Sequence, residues 1–172
     1  MYIAVSVIVL VGLVTVFASA LSAQANTRNR NTATGTVAVA VNSLQTSIRN
    51  SSAFDISGNT LRARVAVGDG SGWECRAWAL SGGTLYYRAA SSAVPTPSDY
   101  EDAGWTSLAK GVSGTLADPL AGPSDPLRPF LRNEPQLMYG FDVLVGEAGT
   151  GVKLEGSAVP HATGTGSPTS CW

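Results

Sequence analysis

Residues 2–21 read YIAVSVIVLVGLVTVFASAL, with only Ser6, Thr15 and Ser19 polar and no charge anywhere in the run. As a helix this run is long enough to cross a bilayer, which takes about 20 residues at 1.5 Å each. Beyond Gln24 the pattern changes without ending. Val37, Val41, Leu44 and Ile48 recur at spacings of four, three and four, which places them on one helical face. Asn42, Ser43, Gln45, Thr46, Ser47 and Arg49 fill the other faces, and no proline precedes Pro95. The pattern predicts one helix, or two nearly collinear ones, from Tyr2 to about Ser51, about 75 Å long at helical rise. Its first half is apolar all round, as a bilayer requires, with Ile3, Val7, Leu10, Val14 and Phe17 as the expected contact residues. The second half is amphipathic, and Val37, Val41, Leu44 and Ile48 pack it onto a head. Gly35 is where such a helix bends or frays, at a cost of about 1 kcal/mol relative to alanine.

The chain therefore divides into a helix over residues 1–52 and a head over residues 53–172, a length that suits a single core. Ser57-Gly58-Asn59 signals a turn, after which Leu61, Ala63, Val65 and Val67 alternate with Arg62, Arg64 and Ala66 as in a half-buried strand. A glycine-rich turn at residues 68–72 leads to a strand from Trp73 to Leu80, and Ser81-Gly82-Gly83 turns it into another from Thr84 to Arg88. The three read as an antiparallel meander. Residues 91–135 carry seven of the nine prolines and are expected to form a long surface excursion, with a short strand or helical turn at Trp105 to Val112. Leu137, Tyr139, Phe141, Val143 and Val145 alternate, and a last strand follows from Val152 to about Val159. The expected fold class is α+β, a long N-terminal helix packed on a small antiparallel sheet.

The order of these motifs resembles a known family. Tyr2-Ile3-Ala4-Val5-Ser6-Val7-Ile8-Val9-Leu10 is similar to the middle of the N-terminal helix of type IV pilins and type II secretion pseudopilins. Trp73-Glu74-Cys75, Leu85-Tyr86-Tyr87-Arg88, Gly104-Trp105-Thr106-Ser107-Leu108 and the closing Ser-Pro-Thr-Ser-Cys-Trp resemble minor pilin-like proteins of Gram-positive bacteria. The family opens with a basic leader and a glutamate near the mature N-terminus. Neither is present here, and no acidic residue precedes Asp55, so the resemblance implies that Met1 is an internal start or a truncation. It further implies a structural subunit of a pilus or pseudopilus, a minor one, that is held in the cytoplasmic membrane before assembly. Membrane lipid, other pilin subunits, a prepilin peptidase and an assembly platform would be its partners.

Two cysteines, Cys75 and Cys171, lie far apart. Pairing them would close a loop of about a hundred residues and contribute roughly 4 to 5 kcal/mol in the chain-entropy model. The alternative, two unrelated buried thiols, leaves a penultimate cysteine in a Gly-, Ser- and Thr-rich tail without a role. Pilin-like proteins often carry such a bridge near the C-terminus, and a bridge implies an oxidising compartment. Arg28 and Arg30 directly follow the apolar run, so the positive-inside rule applied to this text places the head in the cytoplasm. A basic leader would reverse that balance.

Composition excludes several classes of function. With 13% charged residues and a net charge of -1, the chain offers no basic field for nucleic acid. His161 is the single histidine, so no histidine-based metal cluster is expected, and a Ser-His-Asp triad would rest on that residue alone. Gly68-Asp69-Gly70-Ser71-Gly72 lacks the lysine of a phosphate loop and is read as a turn. Asp99, Glu101 and Asp102 match no calcium-loop spacing. Trp73, Trp78, Tyr86, Tyr87, Tyr100, Trp105 and Trp172, beside Arg62, Arg64 and Arg88, offer contacts to sugar, nucleic acid or partner subunits. Strand alternation puts about half of them inside, where core packing explains them. The expectation is a non-enzymatic structural subunit without cofactor or metal. Its rival is a secreted or surface binding domain behind a cleaved signal peptide, for which Ala18-Ser19-Ala20 and Leu21-Ser22-Ala23 supply cleavage sites.

Overall fold

The computed structural model describes residues 2–68, 72–120, 122, 124–145, 150–162 and 170–172, with side chains described at all of these except 2–9, 26, 29, 30, 32, 33, 145 and 150. Helical backbone is assigned over α1, Tyr2–Arg49. Its described side chains fall mainly into two stretches, residues 10–25 and 34–49. The expected long helix with a membrane half is corrected by these residues. They form two short helical stretches, and among the described residues no helix is long and apolar enough to cross a membrane. Composition divides the two stretches: beyond residue 25, Asn26, Thr27, Asn29, Asn31 and Thr32 are poor helix formers. Ile3 and Val7 lie outside the described side chains.

The second stretch is the centre of the core. Val37, Ala40, Leu44, Ser47 and Ile48 are buried, with Val41 partly buried against them. These positions follow the three- and four-residue spacing of one helical face. The C-terminal carbonyls of α1, which the helix itself leaves without donors, are met by distant chain: Arg49 O accepts from the His161 N–H at 3.1 Å and Asn50 O from the Ala66 N–H at 2.8 Å. Ser51 Oγ donates to Ile48 O at 2.7 Å.

Around this stretch the head is two antiparallel sheets, more extensive than the small sheet expected from the sequence. The first holds β1 Ser51–Ser57, β2 Thr60–Ala66, β3 Trp73–Ser81, β4 Thr84–Ala90 and β5 Thr106–Lys110, in chain order. Gly82 and Gly83, at φ 55° and 73°, make the two-residue β3–β4 turn. Positive φ at both central residues is what a hairpin turn matching strand twist requires. The second sheet holds β6 Val112–Gly114, β7 Phe130–Asn133, β8 Gln136–Val145 and β9 Thr150–Ala158. β8 is its axis, with β9 along one edge and β6 and β7 sharing the other. Leu137, Tyr139, Phe141 and Val143 on β8 turn into the core with Leu61, Ala63, Val65, Trp78 and Leu85 of the first sheet.

The expected surface excursion over residues 91–135 is therefore partly sheet. It contains β5, β6 and β7. Strands of three to five residues between prolines are too short for apolar alternation to register. Arg62 also departs from the half-buried strand that its alternation suggests. It is buried, donating from Nε to Val94 O at 2.8 Å and from Nη2 to Thr96 Oγ1. The cause is a covering strap, since the Val94 N–H donates to Cys171 O at 3.3 Å and Cys171 is bonded to Cys75 on β3. Under that strap Cys75, Ala77, Ala79, Tyr86, Val94 and Trp105 form a second apolar cluster. Replacing Arg62 with methionine should cost about 1 to 3 kcal/mol, because buried acceptors lose their donor. Urea unfolding followed by tryptophan fluorescence measures it.

Candidate functional site

The first stretch of α1 presents a surface unlike the rest of the molecule. Leu10, Val11, Leu13, Val14, Val16, Phe17 and Leu21 are each between 56 and 69% exposed. They cover more than half of the helix circumference, and Gly12, Thr15, Ser19 and Ser22 line the rest. Thr15 Oγ1 donates to Gly12 O and Ser19 Oγ to Val16 O, both at 2.8 Å. Ser22 Oγ donates to Ala18 O at 3.1 Å. The hydroxyls are thus turned onto their own backbone, which leaves a sleeve of apolar side chains. So large a contiguous exposed apolar surface is uncommon on a folded protein. Leu10, Val14 and Phe17, predicted as contact residues, are in this sleeve.

The same helix then enters the head and is held there by polar as well as apolar contacts. Arg76 on β3 donates from Nη1 to Ser47 Oγ at 2.7 Å and pairs with Glu74. Gln45 Nε2 donates to Tyr139 Oη on β8. Val37, Leu44 and Ile48 are fully buried and Val41 partly so; Ala40 and Ser47 complete the stripe, although hydropathy does not mark them. Their signal is position alone, a three- or four-residue spacing from Val37 and Leu44 on the same face. The sleeve thus precedes, in the same chain, the stretch that the head holds.

Burial holds the Tyr139 phenol above its ordinary pKa, against the opposing hydrogen bond from Gln45 and the charge of Arg49. Burial also raises Tyr87, with Arg76 acting against the shift and Glu74 with it. A phenol whose folded-state pKa is raised binds its proton more tightly when folded. Its contribution is complete below the unfolded value of 10.0 and is lost as pH rises above it. Stability should therefore fall as pH rises above about 10. Tyr139→Phe should flatten the fall, as read by urea midpoints across alkaline pH.

Cys75 and Cys171 are joined across a sequence separation of 96, with Cα atoms 5.3 Å apart. Of the aromatics singled out in the sequence, Trp78, Tyr86 and Trp105 are buried. Trp78 is fully buried, and Tyr86, Tyr100 and Trp105 form a stacked and edge-on trio at 5.0 Å spacings. Arg64 covers the Trp73 ring at 5.5 Å, and Arg88 Nη1 donates to Ala103 O. Trp172 is half exposed beside the Arg62–Val94 strap. These rings and arginines do not assemble into one open surface.

Among the described residues no constellation for catalysis converges. His161 is exposed, next to Pro160, and uses its backbone N–H on the helix end. Among the described residues no group of three His, Cys, Asp or Glu side chains is placed to hold a metal ion. Asp99 accepts the Glu101 N–H at 2.9 Å as a local turn. Asp69, Gly70 and Ser71 lie outside the described residues. No family model, no curated protein and no solved structure matches this chain.

Proposed function

We propose that this protein is a structural subunit of a pilin-type filament or pseudopilus, in which the exposed stretch of α1 packs against the corresponding stretches of neighbouring subunits. The observation that carries the reading is the exposed apolar stretch from Leu10 to Leu21, followed in the chain by a stripe buried in the head. An apolar helix surface leaves water only for lipid or for other apolar side chains, and a bundle of related helices supplies the second. Before assembly, membrane lipid shelters the sleeve. The head belongs on the extracytoplasmic side, where a Cys75–Cys171 bond persists. Similarity of residues 2–10 to pilin helices makes prepilin peptidase and an assembly platform the handling partners.

The test is site-specific photocrosslinking from position 14 or 17 in the native cell, with the mature chain's N-terminus read by mass spectrometry. The expected result is a ladder of crosslinked subunits that Val14→Asp with Phe17→Asp abolishes while the purified protein keeps its unfolding midpoint. A mature chain beginning beyond Leu21, or crosslinks to no protein subunit, overturns the reading in favour of a secreted domain.

A further inference from the structure

β9 presents an open strand edge in the second sheet. β9 pairs with β8 along its whole length, from Leu137↔Ala158 to Val145↔Thr150, and among the described residues its opposite edge pairs with no strand. No described backbone hydrogen bond outside the β8–β9 ladder reaches it. A nine-residue open edge is long, and such edges pair with another strand unless something blocks them. Its faces are clearly sorted. Val152, Leu154 and Ala158 turn toward the core side, and Gly151, Lys153 and Glu155 are exposed on the other.

The geometry points to a second copy of this chain as the occupant, its β9 antiparallel to this one about a two-fold axis at Leu154. Charge selects that register. With Leu154 opposite its own copy, Lys153 faces Glu155 of the partner subunit, and Glu155 faces the partner's Lys153. Moving the axis to Lys153 would set lysine against lysine, and moving it to Glu155 would set glutamate against glutamate. Like charges directly opposite destabilise a strand pair, and opposite charges support it. Within one chain Lys153 already stands opposite Asp142, and Glu155 accepts the Thr115 hydroxyl at 2.8 Å. Each row across the joined edges would then run Asp142, Lys153 and the partner's Glu155 on the solvent face. A lone edge lysine ordinarily discourages strand addition. Here the partner's Glu155 neutralises it only in the two-fold register, so the same residue that blocks random pairing specifies this one. A two-fold axis normal to the sheet also keeps Val152 and Leu154 on the core side in both copies, and a closed, self-complementary contact results rather than an open chain.

Sedimentation velocity of the full chain in a mild detergent, over a range of concentrations, tests this contact with the apolar sleeve occupied. The wild-type chain should associate reversibly. Glu155→Lys should weaken that association at least about tenfold, Lys153→Glu should do the same, and the double exchange K153E/E155K should restore it, since the register again pairs opposite charges. Wild type and Glu155→Lys sedimenting alike at every concentration overturns the contact, as does failure of the double exchange to recover. Crosslinking through the sleeve is a separate readout, so loss of either surface leaves the other measurable.

Discussion

Leu44→Asp should unfold the head. Leu44 is 1% exposed, in the middle of the buried stripe of α1 and in a core shared by both sheets. The substitution removes a side chain whose truncation alone costs about 2 to 5 kcal/mol. It also places a carboxylate among apolar side chains, so the group must either bury its charge or take up a proton. A loss of more than about 4 kcal/mol is expected, a large part of the roughly 5 to 15 kcal/mol typical of a domain. Leu13→Asp is the control. Leu13 is 62% exposed in the sleeve, and the same change there should move head stability by no more than about 0.5 kcal/mol. Urea unfolding of the two variants beside wild type decides the matter. Equal effects would mean that the stripe is not what the head is built on.

Removing the Cys75–Cys171 bond should have the second largest effect. A bond spanning 96 residues restricts the unfolded chain by about 4 to 5 kcal/mol in the chain-entropy account, and native bridges in small domains are worth about 2 to 5 kcal/mol. The loss has a location as well as a size. Residues 170–172 would leave β3, the Val94 N–H would lose Cys171 O, and the strap that buries Arg62 would loosen. Cys75→Ala with Cys171→Ala should therefore lower the urea midpoint as much as reductant lowers that of wild type. Hydrogen exchange should speed up at Val94 more than at Tyr139 or Phe141 on β8, which are buried in the other cluster. Uniform loss of protection would show that the strap and the core open together.

Much of the head can be read from local pattern, because a strand that buries one face writes that face into alternate residues. Leu61, Ala63 and Val65 on β2 and Leu137, Tyr139, Phe141 and Val143 on β8 are such cases, and the Gly82-Gly83 turn needs only its two glycines. The sleeve at Leu10–Leu21 and the stripe from Val37 to Ile48 are equally local, since helical spacing alone distinguishes a broad apolar surface from a narrow stripe. The short strands β5, β6 and β7 are not legible in this way. Each owes its existence to the edge of a longer strand already in place, β4 for one and β8 for the other two. The burial of Arg62 is of the same kind. Its sequence context is that of an exposed residue, and it is covered only because Cys171, near the far end of the chain, folds back onto the neighbouring strand and brings Val94 over it. Which residues face inward along each long element is thus written in the chain itself, because it depends on spacing within a few turns or pleats. How many strands complete each sheet, which polar groups are buried and which strand edge stays open are set only on folding, because they depend on partners that are remote in sequence and become adjacent in space.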